Sequence, residues 1–402
     1  MEINVRKPNN INLAKLLTQL NILIHFFIAT NATLQNSTII YYTSCFLIFI
    51  NIIWTIITSG IVRSKYLLWL TMVVFLVLAS SFWAFDRNYA FEGIKTIFVT
   101  YLIFILLLLF VKCETDFYNI LKIFILTQIM NILFIFYNLD LSSLGESRIG
   151  SAELGGDWNA NRIGLLMSFA GFSSFVLIFK ENNILKKYML FLLVLLFGTV
   201  SLLTGSKKAL FILIFSVAFF YTIYSKSNKL TKIIAIALYV FLFYYMIMNV
   251  PMLYEALGSR VDEFILTSTG QSTLDKSSQI RFSLVQYGVE IFKDRPLLGH
   301  GINNFRPLYG HLTGWYTYSH NNYIEMLVGL GIIGTIIYYS MYIYILVKTF
   351  KVKTILSIFA FVSIIAILIT EIGLVSYTSF YIQLFICLSF LAVKIQQGNR
   401  RG

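Results

Sequence analysis

The sequence predicts an all-α integral membrane protein with about twelve transmembrane helices. The chain has 402 residues, of which 58% are hydrophobic and 12% are charged, too few polar side chains to cover a water-soluble surface. Apolar runs of bilayer-spanning length recur along the whole chain, and basic residues concentrate in alternate breaks between them. We therefore expect one polytopic membrane domain over residues 1–402.

The predicted spans follow one another as apolar runs of roughly 17–25 residues. They lie near 12–30, 38–59, 66–84, 94–111, 117–138, 161–179, 188–203, 208–224, 231–250, 322–346, 354–371 and 376–394. Two of the breaks are long. One covers about 140–160, and the other, 251–319 between the ninth and tenth spans, is much the longest. Long ordered loops are usually functional, so a site is expected in or beside 251–319.

The formal charge of +13, from 31 basic and 18 acidic residues, is explained by topology. With a cytoplasmic N-terminus, most lysines and arginines fall in cytoplasmic breaks, as the positive-inside rule requires. Both termini are then cytoplasmic, the first apolar run stays as a signal anchor, and 251–319 faces outward. No nucleic-acid partner is expected, because no polar face interleaves basic with aromatic residues. Cys45, Cys113 and Cys387 predict neither a disulfide nor a metal framework.

The long loop contains a predicted short amphipathic helix over Gln279–Phe292, which we expect to lie along the membrane surface and to stop before Pro296. A turn-rich stretch follows, in which glycines alternate with aromatic residues such as Trp315 and Tyr316. Flat aromatic faces beside polar groups suit sugar rings, although an ordinary interfacial aromatic belt is the favoured explanation.

Basic residues on the outward side are not explained by topology, which makes them candidates for ligand binding. They are Arg162, Lys207, Lys208, Arg260 and Arg281, together with others in the long loop. A charge at the hydrocarbon boundary costs a few kcal/mol unless it is partnered, so an inward-facing cluster would suit a lipid-linked phosphate or pyrophosphate. The alternative is that these long side chains reach the lipid headgroups. For Arg162, Lys207 and Arg281 the two explanations are evenly balanced.

Histidine leads the candidates for a general base, since it exchanges protons near neutral pH. Of the four histidines, His300, His311 and His320 lie in or just past the long loop. His320 stands at the N-terminal end of the tenth span, where backbone N–H groups and the helix dipole favour an anion. The alternative is a helix-terminal cluster in which Asn322 caps the helix and Glu325 completes a capping box.

His320-Asn321, followed after nine residues by Gly331-Ile-Ile-Gly334, resembles the signature of the O-antigen ligase and polysaccharide polymerase superfamily. Gly329, Gly331 and Gly334 are expected to allow close helix packing behind the site. Three weaker similarities are Thr204–Lys207 to the family's Thr-Gly-Ser-Arg turn, Arg281 with Pro296–Phe305 to its outer-loop arginine and glycine segment, and Asn159–Arg162 to its polar span start. The resemblance covers roughly 155–345.

The resemblance implies a membrane glycosyltransferase with a polyprenyl-pyrophosphate-linked oligosaccharide donor and no metal or other cofactor. His320 would activate the acceptor hydroxyl, while Arg281 and the basic residue at Lys207 would hold the pyrophosphate. Lys207 replaces the usual arginine and lacks its planar fork. The other residues expected to line the site are Lys208, Arg162 and Arg260 for the pyrophosphate and Asn321, Tyr316 and Trp315 for the sugar.

The expected reaction is polymerisation of repeat units into O-antigen, capsule or exopolysaccharide at the outer face of a bacterial cytoplasmic membrane, with a flippase and a chain-length regulator as partner proteins. A ligase that transfers finished glycan to a lipid acceptor stays open within the same superfamily. A flippase fits the span number, but it would place charges at the midplane and show repeated halves. A cell-wall polymerase of the shape-and-division type would depend on an outer-loop aspartate, yet the surroundings of Asp262 and Asp275 do not resemble that family.

Overall fold

The computed structural model describes residues 10–60, 63–139, 149–150, 158–226 and 276–399, with isolated positions between 228 and 244. Within these ranges every regular element is a helix. They are α1 (Asn10–Thr30), α2 (Ala32–Asn36), α3 (Thr38–Ser59), α4 (Lys65–Ser80), α5 (Arg87–Phe110), α6 (Glu114–Asn138), α7 (Ala160–Ile178), α8 (Ile184–Leu203), α9 (Lys207–Tyr224), α10 (Lys276–Asp294), α11 (Phe305–Thr313), α12 (Asn322–Thr349), α13 (Ile355–Glu371) and α14 (Phe380–Asn399). The described part of the chain is all-helical, as predicted.

Nine of the described helices are long and apolar enough to cross a membrane: α1, α3, α5, α6, α7, α8, α9, α12 and α14. The two predicted spans near 66–84 and 354–371 correspond to the apolar but shorter helices α4 and α13, of 16 and 17 residues. The predicted span near 231–250 lies largely outside the described residues, and so does the first part of the long loop. The chain is a multi-pass membrane protein, and its total of twelve spans stays a prediction.

Polar residues in the short breaks act as helix caps, which explains why the hydropathy pattern located the helix starts well. Ser64 accepts a hydrogen bond from the backbone N–H of Leu67 at the start of α4. Asn183 does the same for Lys186 in α8. Each such side chain satisfies one of the backbone N–H groups that a helix start leaves without a partner.

The centre of the bundle is α14, in which almost every residue from Phe380 to Val393 is buried. Its Phe385 ring lies 5.3 Å from that of Phe124, 4.5 Å from Phe169 and 5.9 Å from Phe359, measured between centroids. These contacts join α14 to α6, α7 and α13. The site-bearing helices α9 and α12 pack in turn on α13.

The helix α12 is interrupted at Gly331, which has φ +64° and ψ −168°. The segment after α10 lies in this break: the N–H of Gly301 donates to Gly329 O at 2.9 Å, and the N–H of Ile332 donates to Pro296 O at 2.8 Å. We expected these glycines to let another helix approach. The structure corrects that expectation for Gly329 and Gly331, because the main chain of 296–302 approaches them and uses the backbone groups that the interruption exposes. At Gly334 the atoms nearest to an added Cβ would be those of Leu330 of the same helix.

Replacing Gly331 by alanine is expected to destabilise the protein by about 2–5 kcal/mol. The added Cβ would sit at a left-handed φ and 2.3 Å from Leu297 O. Gly314→Ala is the matched control, since Gly314 also has a positive φ but its Cβ would meet no atom within 4 Å. Thermal unfolding of both variants in detergent would separate the effect of the Cβ overlap with Leu297 O from the effect of the positive φ. Equal losses of stability in the two variants would contradict the tight fit at Gly331.

The segment 296–304 is held on its other side by the connection between α4 and α5. The N–H of Phe85 donates to His300 O at 2.9 Å, and the N–H of Asp86 donates to the Asn304 side chain at 2.6 Å. The α10 helix extends beyond the predicted Gln279–Phe292 at both ends, and its Leu284 packs with Val328 of α12 in a small buried cluster. Residues 296–304 are therefore fixed between two helical regions.

Candidate active site

His320 lies immediately before α12 with φ +56°, a left-handed backbone conformation uncommon for a residue other than glycine. The residues on both sides are fixed by hydrogen bonds. Ser319 donates through its N–H and its hydroxyl to the Glu325 carboxylate, at 3.1 and 2.6 Å, and Asn321 accepts from the N–H of Ile324 at 3.1 Å. Such a conformation costs on the order of 1–3 kcal/mol, and residues held in this way cluster at functional sites.

The cap of α12 differs from the predicted capping box. Asn321, not Asn322, is the N-cap, and Glu325 reaches back past it to Ser319. Asn322 instead points into the protein, where its side-chain oxygen accepts hydrogen bonds from the backbone N–H groups of Ser376 and Tyr377 at 2.9 and 3.2 Å. The prediction was off by one residue because both asparagines are good caps and the chain enters α12 one residue earlier than assumed.

Two predicted cations act electrostatically on His320, although they come from separate elements. Burial, then the positive charges of Arg281 on α10 and Lys208 on α9, lower the pKa of His320 from 6.5 to about 4. The imidazole is therefore neutral at neutral pH, the form in which it can accept a proton. The same shift removes stability as pH falls from about 6.5 towards 4, because the unfolded chain binds the proton more readily than the folded one over that range.

Lys208 is brought beside Asn321 by the turn that follows α13. Its ammonium group donates to Gly373 O at 2.7 Å, while the Asn321 amide donates to Ile372 O at 3.2 Å. Two adjacent carbonyl groups at one helix end thus bind a side chain from α9 and one from the start of α12. This contact explains how a residue 112 positions before His320 in the sequence reaches the same site.

Tyr318 is the aromatic residue nearest to His320, with ring centroids 4.1 Å apart. Burial raises the pKa of the Tyr318 phenol, so it stays protonated and able to donate a hydrogen bond. The two aromatic residues named as sugar contacts, Trp315 and Tyr316, lie just before it in sequence with about half of their surface exposed. Asn321 is the third residue predicted to contact the sugar. Its side-chain oxygen caps α12, and its amide donates to Ile372 O.

The predicted polar motifs at the starts of α7 and α9 contact one another. Ser206 donates to the Asn161 side chain at 2.8 Å, and an added Cβ on Gly164 would lie 2.8 Å from Thr204 Oγ1. Arg162 donates to Ala29 O at 3.1 Å and to the Gln35 side chain, which ties it to the end of α1.

Of the remaining predicted cations, Lys207 has an exposed side chain at the start of α9. Arg260 lies outside the described residues. Lys208 and Arg281 are therefore the predicted cations whose charges the structure brings to His320.

Sequence reasoning missed a buried carboxylate that organises the region behind the site. Glu371, at the end of α13, accepts hydrogen bonds from Tyr339 and Tyr342 at 2.9 and 2.8 Å and from the hydroxyl of Ser376. The signal was present, because an acidic residue at the end of an apolar run is costly without partners and marks a functional or organising position. The tyrosines that donate to the Glu371 carboxylate lie on α12, 32 and 29 residues earlier in the sequence.

The other two histidines of the predicted long loop, His300 and His311, have different surroundings. His300 is buried, its Nε2–H donates to Ile291 O at 2.9 Å, and burial lowers its pKa. His311 lies in the last turn of α11 with its ring 6.0 Å from that of Phe85. In the described part of the chain, no group of three or more histidine, cysteine or acidic side chains could hold a metal ion.

One family model, described as O-Antigen ligase, matches residues 192–339. The matched range begins in α8 and ends in α12, so it includes Lys208, Arg281 and His320. The predicted resemblance to the O-antigen ligase and polymerase superfamily is confirmed over this range. No curated protein matches the chain.

Proposed function

We propose, from the O-antigen ligase match over residues 192–339, that this protein transfers a glycan from a polyprenyl-pyrophosphate donor to a sugar hydroxyl. One observation carries the proposal: a neutral histidine, fixed at a helix N-terminus, is acted on electrostatically by two cations that belong to different helices. A base beside an anion-binding group is what displacement of a pyrophosphate by a hydroxyl requires.

In the proposed reaction, His320 accepts the proton of the acceptor hydroxyl as its oxygen bonds to the anomeric carbon. The bond from that carbon to the pyrophosphate oxygen breaks, and the lipid pyrophosphate leaves with the electron pair. Negative charge grows on the leaving group, where Arg281 and Lys208 stabilise it. Cations positioned before the reaction lower the barrier most, because they need no reorganisation as the charge develops.

Binding of the donor would also strengthen the base. The charges of Arg281 and Lys208 depress the pKa of His320, after burial, and a bound pyrophosphate would offset both charges. The pKa of His320 would therefore rise when the donor is bound, which makes the imidazole a stronger base at the moment it is needed. In the free protein the same group stays neutral and available.

Within this chemistry we favour polymerisation of repeat units into a surface polysaccharide, on the outer face of a bacterial cytoplasmic membrane with both termini in the cytoplasm. Ligation of finished glycan to a lipid acceptor is the second candidate, supported by the description of the matched family as O-Antigen ligase. Both reactions would use the same base and the same cations, and they differ in the acceptor.

The test is transfer by the purified full-length protein in lipid nanodiscs, with a synthetic lipid-pyrophosphate repeat unit as donor. One arm contains the donor alone and a second adds a lipid-linked glycan acceptor. A ladder of longer glycans in the first arm supports polymerisation, and a single larger product only in the second supports ligation. Absence of both products, with no release of lipid pyrophosphate, would overturn the proposal.

The pKa of His320 can be checked without activity, through its reaction with diethyl pyrocarbonate, which modifies a histidine only when its imidazole is neutral. Site-resolved mass spectrometry should show His320 of the free protein still reactive well below pH 6.5, as a pKa of about 4 requires. Arg281→Gln removes one of the charges that depress this pKa, so the acid limb should move to higher pH. A limb that stays in place or moves to lower pH would contradict the electrostatic coupling.

A further inference from the structure

A cavity of about 450 Å³ lies at the N-terminal end of α8, whereas Lys208 of the His320 site follows its C-terminal end. It opens between α6 and α8, both of which pack on α7. Its lining is apolar where the helices diverge, with Ile125 and Ile129 from α6 and Leu190 and Leu193 from α8. The cavity is therefore an apolar groove between two helices long enough to cross a membrane.

The mouth of this groove is cationic. Lys122 of α6, Lys180 just after α7 and Lys186 in the first turn of α8 all line it, against one acidic residue, Glu181. The backbone N–H of Asn183 lowers the pKa of the Glu181 carboxyl, and the charges of Lys186 and Lys122 lower it further. Both lysines thus lie within electrostatic reach of one point.

The three lysines differ in how far they are already engaged. Lys180 lies 3.4 Å from the Glu114 carboxylate and 5.3 Å from the centroid of the Tyr118 ring. Lys122 and Lys186 are exposed where they line the mouth. A ligand with one or two negative charges would therefore find two cations from different helices at the point where the apolar lining ends.

We propose that this groove binds an anionic glycerophospholipid, with an acyl chain along the apolar lining and the headgroup phosphate between Lys122 and Lys186. Basic pockets between transmembrane helices are typical sites for anionic headgroups on the cytoplasmic side, the side to which the charge pattern assigns these lysines. The excess of cations at the mouth selects an anionic lipid over a zwitterionic one.

The proposed glycan donor does not fit here. Its pyrophosphate is assigned to Arg281 and Lys208, and Lys208 follows the far end of α8. The helix α8 has 20 residues, so the mouth of the groove at its start and the position of Lys208 beyond its end lie about 30 Å apart. The lipid site stands on its own observations and does not depend on the proposed transfer reaction.

The test is native mass spectrometry of the full-length protein in detergent, with phosphatidylglycerol and phosphatidylcholine titrated separately. One tightly held phosphatidylglycerol is expected, with clear preference over phosphatidylcholine. Lys122→Gln combined with Lys186→Gln should weaken phosphatidylglycerol roughly thirtyfold and leave phosphatidylcholine unchanged. Leu190→Trp, which fills the apolar part, should weaken both lipids.

The matched control is Lys351→Gln combined with Lys353→Gln, two exposed lysines between α12 and α13 on the same predicted face, which should leave both affinities unchanged. Equal phosphatidylglycerol binding by the Lys122/Lys186 variant and the wild type would overturn the proposal. So would displacement of the phospholipid by a polyprenyl pyrophosphate at lower concentration, because the groove would then be a donor site. Thermal unfolding without added lipid confirms that each variant is folded.

Discussion

Replacing His320 by alanine is expected to lower the rate of the proposed glycan transfer by about 10²–10⁴-fold, the contribution typical of a general base. The structure supports so large an effect, because His320 is neutral, is acted on by the charges of Arg281 and Lys208, and is held in a left-handed conformation. In cells, surface polymer should disappear while lipid-linked repeat units accumulate. Gel analysis of the polymer, with mass spectrometry of the extracted lipid-linked precursors, measures both effects.

Two further variants separate chemistry from conformation. His320→Asn removes the base but keeps a side chain that tolerates a positive φ better than alanine does, so it should be inactive yet at least as stable as His320→Ala. His311→Ala removes an exposed histidine of the same outer region and should leave transfer unchanged. Long-chain polymer in the His320 variants would remove this residue from the catalytic role.

Replacing Arg281 or Lys208 by glutamine is expected to lower the transfer rate by about 10²–10³-fold for each residue, the loss typical when one preorganised group that stabilises developing charge is removed. Both charges act on His320 in the free protein, and the proposed reaction assigns them to the departing pyrophosphate. The rate of lipid pyrophosphate release in nanodiscs is the measurement. Arg281→Lys, which keeps the charge but loses the fork, should recover part of the loss.

Lys207→Gln is the matched control for Lys208→Gln, since it removes an adjacent lysine of the same helix that has an exposed side chain. Lys207→Gln should lower the transfer rate much less than Lys208→Gln does. Lys208 also donates to Gly373 O, so a folding control is needed. If Lys208→Gln unfolds at the same temperature as the wild type, its loss of transfer activity is assigned to the reaction. Equal activities of the Lys207 and Lys208 variants would contradict the assignment of Lys208 to the leaving group.

Hydropathy predicted the long helices because each is an apolar run of bilayer-spanning length; the segment 38–59, for example, is the helix α3. It did not predict α11, over Phe305–Thr313. Pro307 and Gly310 are typical of turns, and the helix owes its stability to tertiary contacts, in which Phe305 and Tyr309 are buried against Leu284 of α10. A short segment that depends on such burial is not visible in local propensity.

The candidate site was predictable in its residue types but not in its geometry. His320 was a candidate because the chain has only four histidines, and the cations were candidates because the predicted topology places them on the outward side. Which of Lys207 and Lys208 faces the site could not be known, because neighbouring residues on a helix point about 100° apart and the packing of α9 decides between them. The left-handed φ of His320 likewise depends on Glu325 binding Ser319, a contact six residues apart across the end of a helix.

The turn after α13 has a consequence for what counts as the minimal enzyme. Its carbonyl groups at Ile372 and Gly373 hold Asn321 and Lys208, and the N–H groups of Ser376 and Tyr377 bind Asn322. All of these turn residues lie beyond 339, where the family match stops. A truncated protein ending there would retain every signature residue and lose the scaffold that aligns them. The last two helices are therefore integral to the architecture of the candidate active site, and not only an anchor in the lipid.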